Sequence, residues 1–433
     1  MNYAEAVDFL YNLEHGSIKL GLERIEAAMD ALGSPHRRFR SVHIAGTNGK
    51  GSTAAFLAAM AEAAGFKTAL HTSPHLQVYG ERFRISGRMM SEEAIASLAT
   101  ELKPLILECK LSFFEATTAL AFEAFARERV DVAVIEVGMG GRLDATNVLT
   151  PALAVITGID LDHVKSLGAT VQAIAAEKAG IVKPGTPLLY GPCSEEVARV
   201  FAYRCEQVGA EAIAVGQRVA LKDSTVGASG SRYRYRHVDE VEPITRHIRL
   251  SGRHQVWNAL LAEEGARRLA AAGLAIDARA RERGLAETLW PGRFEFARVG
   301  DGSGDPFSSE QSAGGPSAGE RSASEQSAIE RSASERSASE RSARGGVRSA
   351  APIILDVAHN PSGGQTVVDT YRACFPDGPA PVLVVGMLGD KDHEAFLRSV
   401  RALGDELLLV PLDVPRAGPI EDVAAWVEAY RAR

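Results

Sequence analysis

The stretch Ile44-Ala-Gly-Thr-Asn-Gly-Lys-Gly-Ser-Thr53 constrains this chain more than any other. An apolar run, Val42–Ala45, precedes it, and an alanine-rich stretch of helical composition, Ser52–Ala64, follows it. A strand that turns sharply through Gly46, Gly49 and Gly51 into a helix aims backbone N–H groups, the helix dipole and the Lys50 ammonium at one point. Such a point favours the phosphates of a nucleotide. The hydroxyls of Ser52 and Thr53 then lie where they reach a bound Mg²⁺ or a phosphate oxygen. The spacing departs from the standard phosphate loop, because only two residues separate Gly46 from Gly49-Lys50 and Gly51, not Ser or Thr, follows the lysine. That argues against a GTPase or a motor-type ATPase.

A chain of 433 residues is long enough for two or three domains with ample core. Its apolar fraction of 45% and charged fraction of 24% are those of an ordinary globular protein. The formal net charge of −7 gives no electrostatic reason to expect nucleic acid or an anionic membrane as partner. No apolar run approaches the roughly 20 residues that span a bilayer, and Met1–Leu32 lacks a signal-peptide core. Cys109, Cys193, Cys205 and Cys374 are too scattered for a metal-ligand pattern and read as reduced cysteines of a cytoplasmic enzyme.

Strands alternate with helices along most of the sequence, which predicts an α/β fold with mainly parallel sheets. Val130–Val137 and Ala152–Ile159 have the β-branched composition of central strands. Helices are expected over Ser91–Cys109, Phe113–Arg129 and Gln255–Ala272. The alternating text of residues 216–250, as in Tyr233-Arg-Tyr-Arg236, suits an antiparallel edge hairpin with one wet face. Residues 300–351 carry a five-residue repeat, Glu330-Arg-Ser-Ala-Ser and its copies, too poor in apolar groups to offset the entropy of ordering. This reads as a disordered insertion. Beyond it a second α/β unit is expected, with strands at Pro352–Asp356, Pro381–Gly386 and Glu406–Pro411. Helices at Gly364–Cys374 and His393–Leu403 separate them, and another closes the chain. A domain boundary is expected near Trp290-Pro-Gly-Arg293, giving domains 1–290 and 291–433.

Two further segments turn the loop into a site. Glu136 sits near the carboxyl end of its strand, ahead of Gly138-Met-Gly-Gly-Arg-Leu-Asp144, where open parallel sheets bind ligands. A glutamate in so apolar a strand is costly unless it meets a cation. Asp160-Leu-Asp162-His163 ends the next strand on the same rim. Hard oxygens with one imidazole are compatible with Mg²⁺ or Mn²⁺.

The short phosphate loop matches that of the Mur ligase superfamily, and the chain resembles the folylpolyglutamate synthase and bifunctional dihydrofolate synthase family within it. The blocks that carry the resemblance are His43–Ser52, Thr72-Ser-Pro-His-Leu76 with Glu81-Arg82, Phe114–Phe122 and Ile135–Asn147. They continue in family order with Leu161-Asp-His163, Glu177-Lys-Ala-Gly-Ile181, His254-Gln-Val-Trp-Asn258, Pro291-Gly-Arg293, Asp356-Val-Ala-His-Asn-Pro361 and Asp390-Lys-Asp392.

The resemblance implies an N-terminal phosphate-loop domain like the Mur-ligase central domain and a smaller Rossmann-like C-terminal α/β domain. It implies that Gly49, Lys50, Gly51 and Ser52 hold the phosphates, and that Asn258, Arg293 and Asp356 complete the ATP site. Ser73, Glu136 and His163 become Mg²⁺ ligands. Lys178 stands where the family carries a carbamylated lysine, although the residues alone equally allow it to pair with Glu177 or a phosphate. Arg82, Phe114 and Asp144 fall in the folate pocket, while Phe114 also suits a core position. The implied reaction is ATP-dependent amide formation between a folate or dihydropteroate carboxylate and L-glutamate through an acyl phosphate. Lys50, Glu136, His163 and Lys178 would be its catalytic residues. The partners are then small molecules only, with no nucleic acid or membrane, and the protein is read as a monomer. Two departures from the family are the repeat insertion inside the C-terminal domain and a sequence that stops soon after Val414-Pro-Arg-Ala417. A shortened C-terminal domain is therefore expected. The alternatives are a ligase for a cell-wall precursor and a nucleotide-binding regulator without ligase activity.

Because Lys50 is the one cation of the loop, Lys50→Ala is expected to abolish turnover with little change in melting temperature. Near-normal phosphate release from the folded variant would contradict the loop's assignment.

Overall fold

The computed structural model describes residues 1–13, 21–162, 167–297, 353–389, 391–410 and 412. The repeat insertion, the expected closing helix, His163 and Asp390 lie outside the described residues. The chain divides into two compact units, Met1–Phe294 with Asp356–Arg433, and Glu295–Leu355.

The first unit is built on an eight-stranded sheet. In chain order its strands are β1 (Arg40–Ala45), β2 (Thr68–His71), β3 (Phe83–Ile85), β4 (Arg88–Met89), β5 (Val132–Glu136), β6 (Leu153–Ile156), β7 (Leu188–Tyr190) and β8 (Ala212–Ala214). The spatial order is β4-β3-β2-β5-β1-β6-β7-β8, parallel from β2 to β8, with β3 and β4 added antiparallel at one edge. The chain leaves β1 toward β2 on one side and leaves β6 toward β7 on the other. The crevice at the carboxyl ends of β1 and β6 is thus a topological switch point, the place where open α/β sheets bind ligands.

Alternation along the central strands explains why both faces are covered. Val132 and Val134 pack with Val42 and Ile44 against the helices Lys50–Ala63 and Arg253–Arg268. Ala133 and Ile135 point the other way, into a core shared with the helices Tyr3–Tyr11, Glu92–Glu108 and Phe113–Arg127. Helix Lys50–Ala63 is buried over most of its surface, so its alanines serve close packing on all sides.

The segment expected as an edge hairpin is instead a separate three-stranded antiparallel sheet. It comprises β9 (Val219–Gly227), β10 (Gly230–His237) and β11 (Ile244–Ile248), with β10 in the centre. Tyr233 and Tyr235 enter the core while Arg232, Arg234 and Arg236 face solvent, so the expected wet face is present. The hydrophobic alternation specified the pleat but carried no information on which sheet the strands join. In the later part of the first unit, β14 (Leu383–Val385) pairs in parallel with β15 (Leu407–Leu409). Helices Pro361–Cys374 and His393–Val400 accompany them around a small core of Met387, Phe396, Leu397 and Val400.

In the second unit, β12 (Glu295–Ala297) and β13 (Ile353–Leu355) form an antiparallel pair. Of the strand expected at Pro352–Asp356, the described part, Ile353–Leu355, pairs with β12.

Candidate functional site at the switch point

The loop after β1 is fixed by contacts that only glycine permits. Gly46 has φ +149°, and a Cβ there would lie 1.8 Å from the Thr157 hydroxyl. Gly49, at φ +88°, opens helix Lys50–Ala63, and its Cβ would lie 2.5 Å from Asn258 Oδ1. Thr157 Oγ1 donates to the Asn48 carbonyl at 2.7 Å, and Thr47 N donates to the Gly158 carbonyl at 2.8 Å. The loop is therefore stitched to the chain leaving β6, with its N–H groups at the helix start turned toward the crevice.

Two ammonium groups meet on this loop. Lys50 Nζ folds back to donate to the Gly46 and Thr47 carbonyls at 3.1 and 3.2 Å. Lys178, 5% exposed, donates to the same Gly46 carbonyl at 2.8 Å. Burial, and then the Lys50 charge, lower the Lys178 pKa to about 7. Glu177 is committed to Arg142 at 2.8 Å, so Lys178 does not pair with it. Among the described residues the buried hydroxyls of Ser52 and Thr53 have no hydrogen-bond partner.

Glu136 is the last residue of β5, in register with Ile44. Its Oε2 accepts from Ser73 N at 3.2 Å. Burial raises its pKa, while Lys50, the Ser73 N–H, Arg293 and Arg82 oppose that rise in decreasing order. Those four cationic or donor groups surround one carboxylate. Asn258 is held by its own amide donating to Gln255 Oε1 at 3.0 Å. Asp356 accepts from Phe294 N and Ala358 N, both at 2.8 Å, which pins it beside Arg293. Lys50, Ser52, Ser73, Glu136, Lys178, Asn258 and Arg293 are thus brought together around the loop.

A second group lies along the Gly138–Asp144 segment. A Cβ on Gly138 would lie 2.4 Å from the half-buried Phe114 ring, so glycine lets that ring close on the backbone. Buried Asp144 accepts from Met139 N at 2.8 Å, from Thr146 N at 3.0 Å and from the Thr146 hydroxyl. Arg82 stands behind Ser73, its carbonyl accepting from Thr72 N and from His71 Nδ1.

Sequence reasoning missed several polar bridges to this region. Asn48 and Asn360 exchange amide hydrogen bonds at 3.3 and 3.0 Å, and Lys391 pairs with Asp162 at 3.2 Å. Asn360 also caps helix Pro361–Cys374. Asn directly before Pro is a local signal for a helix cap, but nothing in the sequence signals its pairing with a residue 312 positions away.

A model of the Mur ligase middle domain matches residues 44–264, and one of the Mur ligase glutamate ligase domain matches residues 343–432. The dihydrofolate synthase/folylpolyglutamate synthase of Mycobacterium tuberculosis is 33% identical over 428 residues, covering 93% of this chain and 76% of that protein. The chain belongs to the folylpolyglutamate synthase/dihydrofolate synthase family of Mur-type ligases. A probable bifunctional folylpolyglutamate synthase/dihydropteroate synthase of Haloferax volcanii is 38% identical over 72% of this chain, which spans only 38% of that relative's length. The solved FPGS–AMPPCP–folate complex superposes with a TM-score of 0.77 at 27% identity, covering 95% of this chain and 90% of the other. Members of this family are ATP-dependent ligases. Among the described residues no helix is long and apolar enough to cross a membrane, and all four cysteines are free.

The buried Lys178 ammonium carries a pH signature. Its pKa of about 7 lies below the unfolded value of 10.5, so the folded state binds fewer protons between those limits. Stability therefore rises with pH across that window, and the full penalty is present below it. Lys178→Met is expected to stabilise the protein at pH 6 in carbon-dioxide-free buffer by a few kcal/mol, on the order set by about 1.4 kcal/mol per pKa unit. The gain should shrink steadily toward pH 10. Denaturant titrations that give a pH-independent difference would contradict a buried, charge-penalised amine.

Proposed function

We propose that the protein is an ATP-dependent ligase that joins the carboxylate of dihydropteroate or of a folate to the amine of L-glutamate. The observation that carries this reading is the convergence of Lys50, Glu136 and Lys178 at the switch-point loop, in a chain of this ligase family.

Backbone N–H groups of Gly49, Gly51 and Ser52 receive the nucleotide phosphates, and Lys50 exchanges its two loop carbonyls for phosphate oxygens. Asn258, Arg293 and Asp356 complete the ATP site. The acceptor carboxylate oxygen bonds to the γ-phosphorus while the bond to ADP breaks, giving an acyl phosphate. The glutamate amine then attacks the acyl carbon, inorganic phosphate leaves with the bridging oxygen, and the amine proton is released. Lys50 and Arg293 offset charge on the transferring group, a contribution that is mainly electrostatic and positional.

The donor set suits a hard cation. Glu136, Ser73 and the orphaned Ser52 hydroxyl supply oxygens, and His163, outside the described residues, is the expected imidazole ligand. Bound there, Mg²⁺ (or Mn²⁺) supplies charge compensation for the phosphates. A Lys178 amine with its pKa near 7 is partly neutral under ordinary conditions, as addition to carbon dioxide requires; with loss of a proton the product would be a carbamate, which would supply an anionic oxygen to a hard cation. Arg82, Phe114 and Asp144 form the folate pocket, with the aromatic face and carboxylate matched to a flat, hydrogen-bonding pterin. Residues 1–290 act as the ATP- and folate-binding domain and 291–433 as the closing ligase domain, in a cytoplasmic monomer.

Phosphate release measured with ATP and glutamate separates the alternatives. Dihydropteroate or tetrahydrofolate should each be tested beside a muramyl acceptor. Turnover that needs both glutamate and one of the two pterin acids is the expected result. Turnover with the muramyl acceptor alone would contradict the folate assignment, and binding of ATP with no turnover on any acid would contradict ligase activity.

A further inference from the structure

Arg82 is 6% exposed, yet among the described residues it has no carboxylate partner. Its acidic neighbour in sequence is unavailable, because the Glu81 carboxylate accepts from Leu76 N, Gln77 N and Val78 N, each at 2.8 Å. The Arg82 guanidinium instead lies 5.2 Å over the Phe113 ring and 5.9 Å from the Tyr79 ring. One of its five N–H donors is used, with Nε donating to His75 Nδ1 at 2.8 Å. Among the described residues the Nη groups have no hydrogen-bond partner, and they are not among the sealed, unpartnered atoms of the interior.

That single bond fixes the direction of a chain. Arginine can only donate, so His75 Nδ1 is bare and the ring is neutral, with its proton on Nε2. Nε2–H therefore donates to the Tyr11 hydroxyl at 3.0 Å, and the Tyr11 proton is left to donate outward. Tyr11 is held by a stacked contact with Phe113, centroids 5.1 Å apart. The result is a guanidinium fork and a phenolic donor, both fixed from behind and both unspent. Their field reaches the site, since the Arg82 charge is felt by Glu136.

We infer that Arg82, oriented by neutral His75 and supported by Tyr11, is a built carboxylate-binding fork, and that its ligand is a carboxylate of one of the two condensing acids. The inference rests on the ligase reading above and adds His75 and Tyr11 as positioning residues. A planar fork matches a carboxylate through two parallel hydrogen bonds, which a lysine cannot reproduce. The aromatic walls exclude water and so strengthen that pairing.

Steady-state kinetics with glutamate and tetrahydrofolate or dihydropteroate varied in turn, beside calorimetric binding of each acid to protein loaded with a non-hydrolysable ATP analogue, tests this. A lost charge-assisted pair corresponds to about 10- to 100-fold weaker binding. Arg82→Lys is expected to raise KM and Kd for one acid by that factor while kcat changes less. A rise for the pterin acid alone assigns the fork to the acceptor, and a rise for glutamate alone assigns it to the incoming amino acid. His75→Leu should reproduce most of the effect, whereas His75→Asn, which keeps an acceptor for Arg82 Nε, should restore it. Tyr11→Phe gives a milder variant that keeps the packing. Unchanged KM and Kd for both acids in folded Arg82→Lys, or equal behaviour of His75→Leu and His75→Asn, would overturn the inference. Wild-type protein without glutamate-dependent turnover on any acid would defeat the ligase reading itself, a separately visible failure.

Discussion

Two lysine ammonium groups share the carbonyl oxygen of Gly46, and the site is organised around that convergence. Neither lysine has an acidic side chain within ion-pairing distance among the described residues. The like charges raise each other's energy, and the burial of Lys178 adds a desolvation cost. On the function proposed above, an arriving polyphosphate would relieve both. Binding would thus be coupled to the removal of a repulsion built into the folded protein, a form of electrostatic preorganisation. The arrangement is held open because Gly46 and Gly49 leave no Cβ against Thr157 and Asn258.

Glu136 is the counterweight. A carboxylate at the end of a central strand would be costly alone, yet here Lys50, Arg293, Arg82 and the Ser73 N–H all favour its charged form against burial. These groups come from the loops after β1 and β2, from the turn just before β3 and from the residues before the second unit, so the sheet is what gathers them. The reciprocal Asn48–Asn360 amides and the Lys391–Asp162 pair tie later residues of the first unit to the same loop. A nucleotide held there would sense both sides of that unit.

Much of this was legible in the sequence. Glycine spacing identified the loop because turn geometry is local, and Glu136 was conspicuous as a charge in an apolar strand. Strand and helix types followed from periodicity, and helices such as Phe113–Arg127 lie close to where composition placed them. What was not legible is pairing over distance. The Lys178 contact with Gly46 spans 132 positions, and the Tyr11–His75 bond spans 64. Local propensity says nothing about either, and the sheet to which residues 219–248 belong was misread for the same reason. His163, predicted from its strand-end position, lies outside the described residues.

The central claim is that a carboxylate, activated by phosphoryl transfer at this loop, reacts with the glutamate amine. Its most direct measurement uses an acceptor acid carrying heavy oxygen in the reacting carboxylate. Through an acyl phosphate, one labelled oxygen should appear in the inorganic phosphate for each amide formed, with the other retained in the amide carbonyl. Unlabelled phosphate released in step with product would contradict the account, because the phosphoryl group would then never have been bonded to the acceptor.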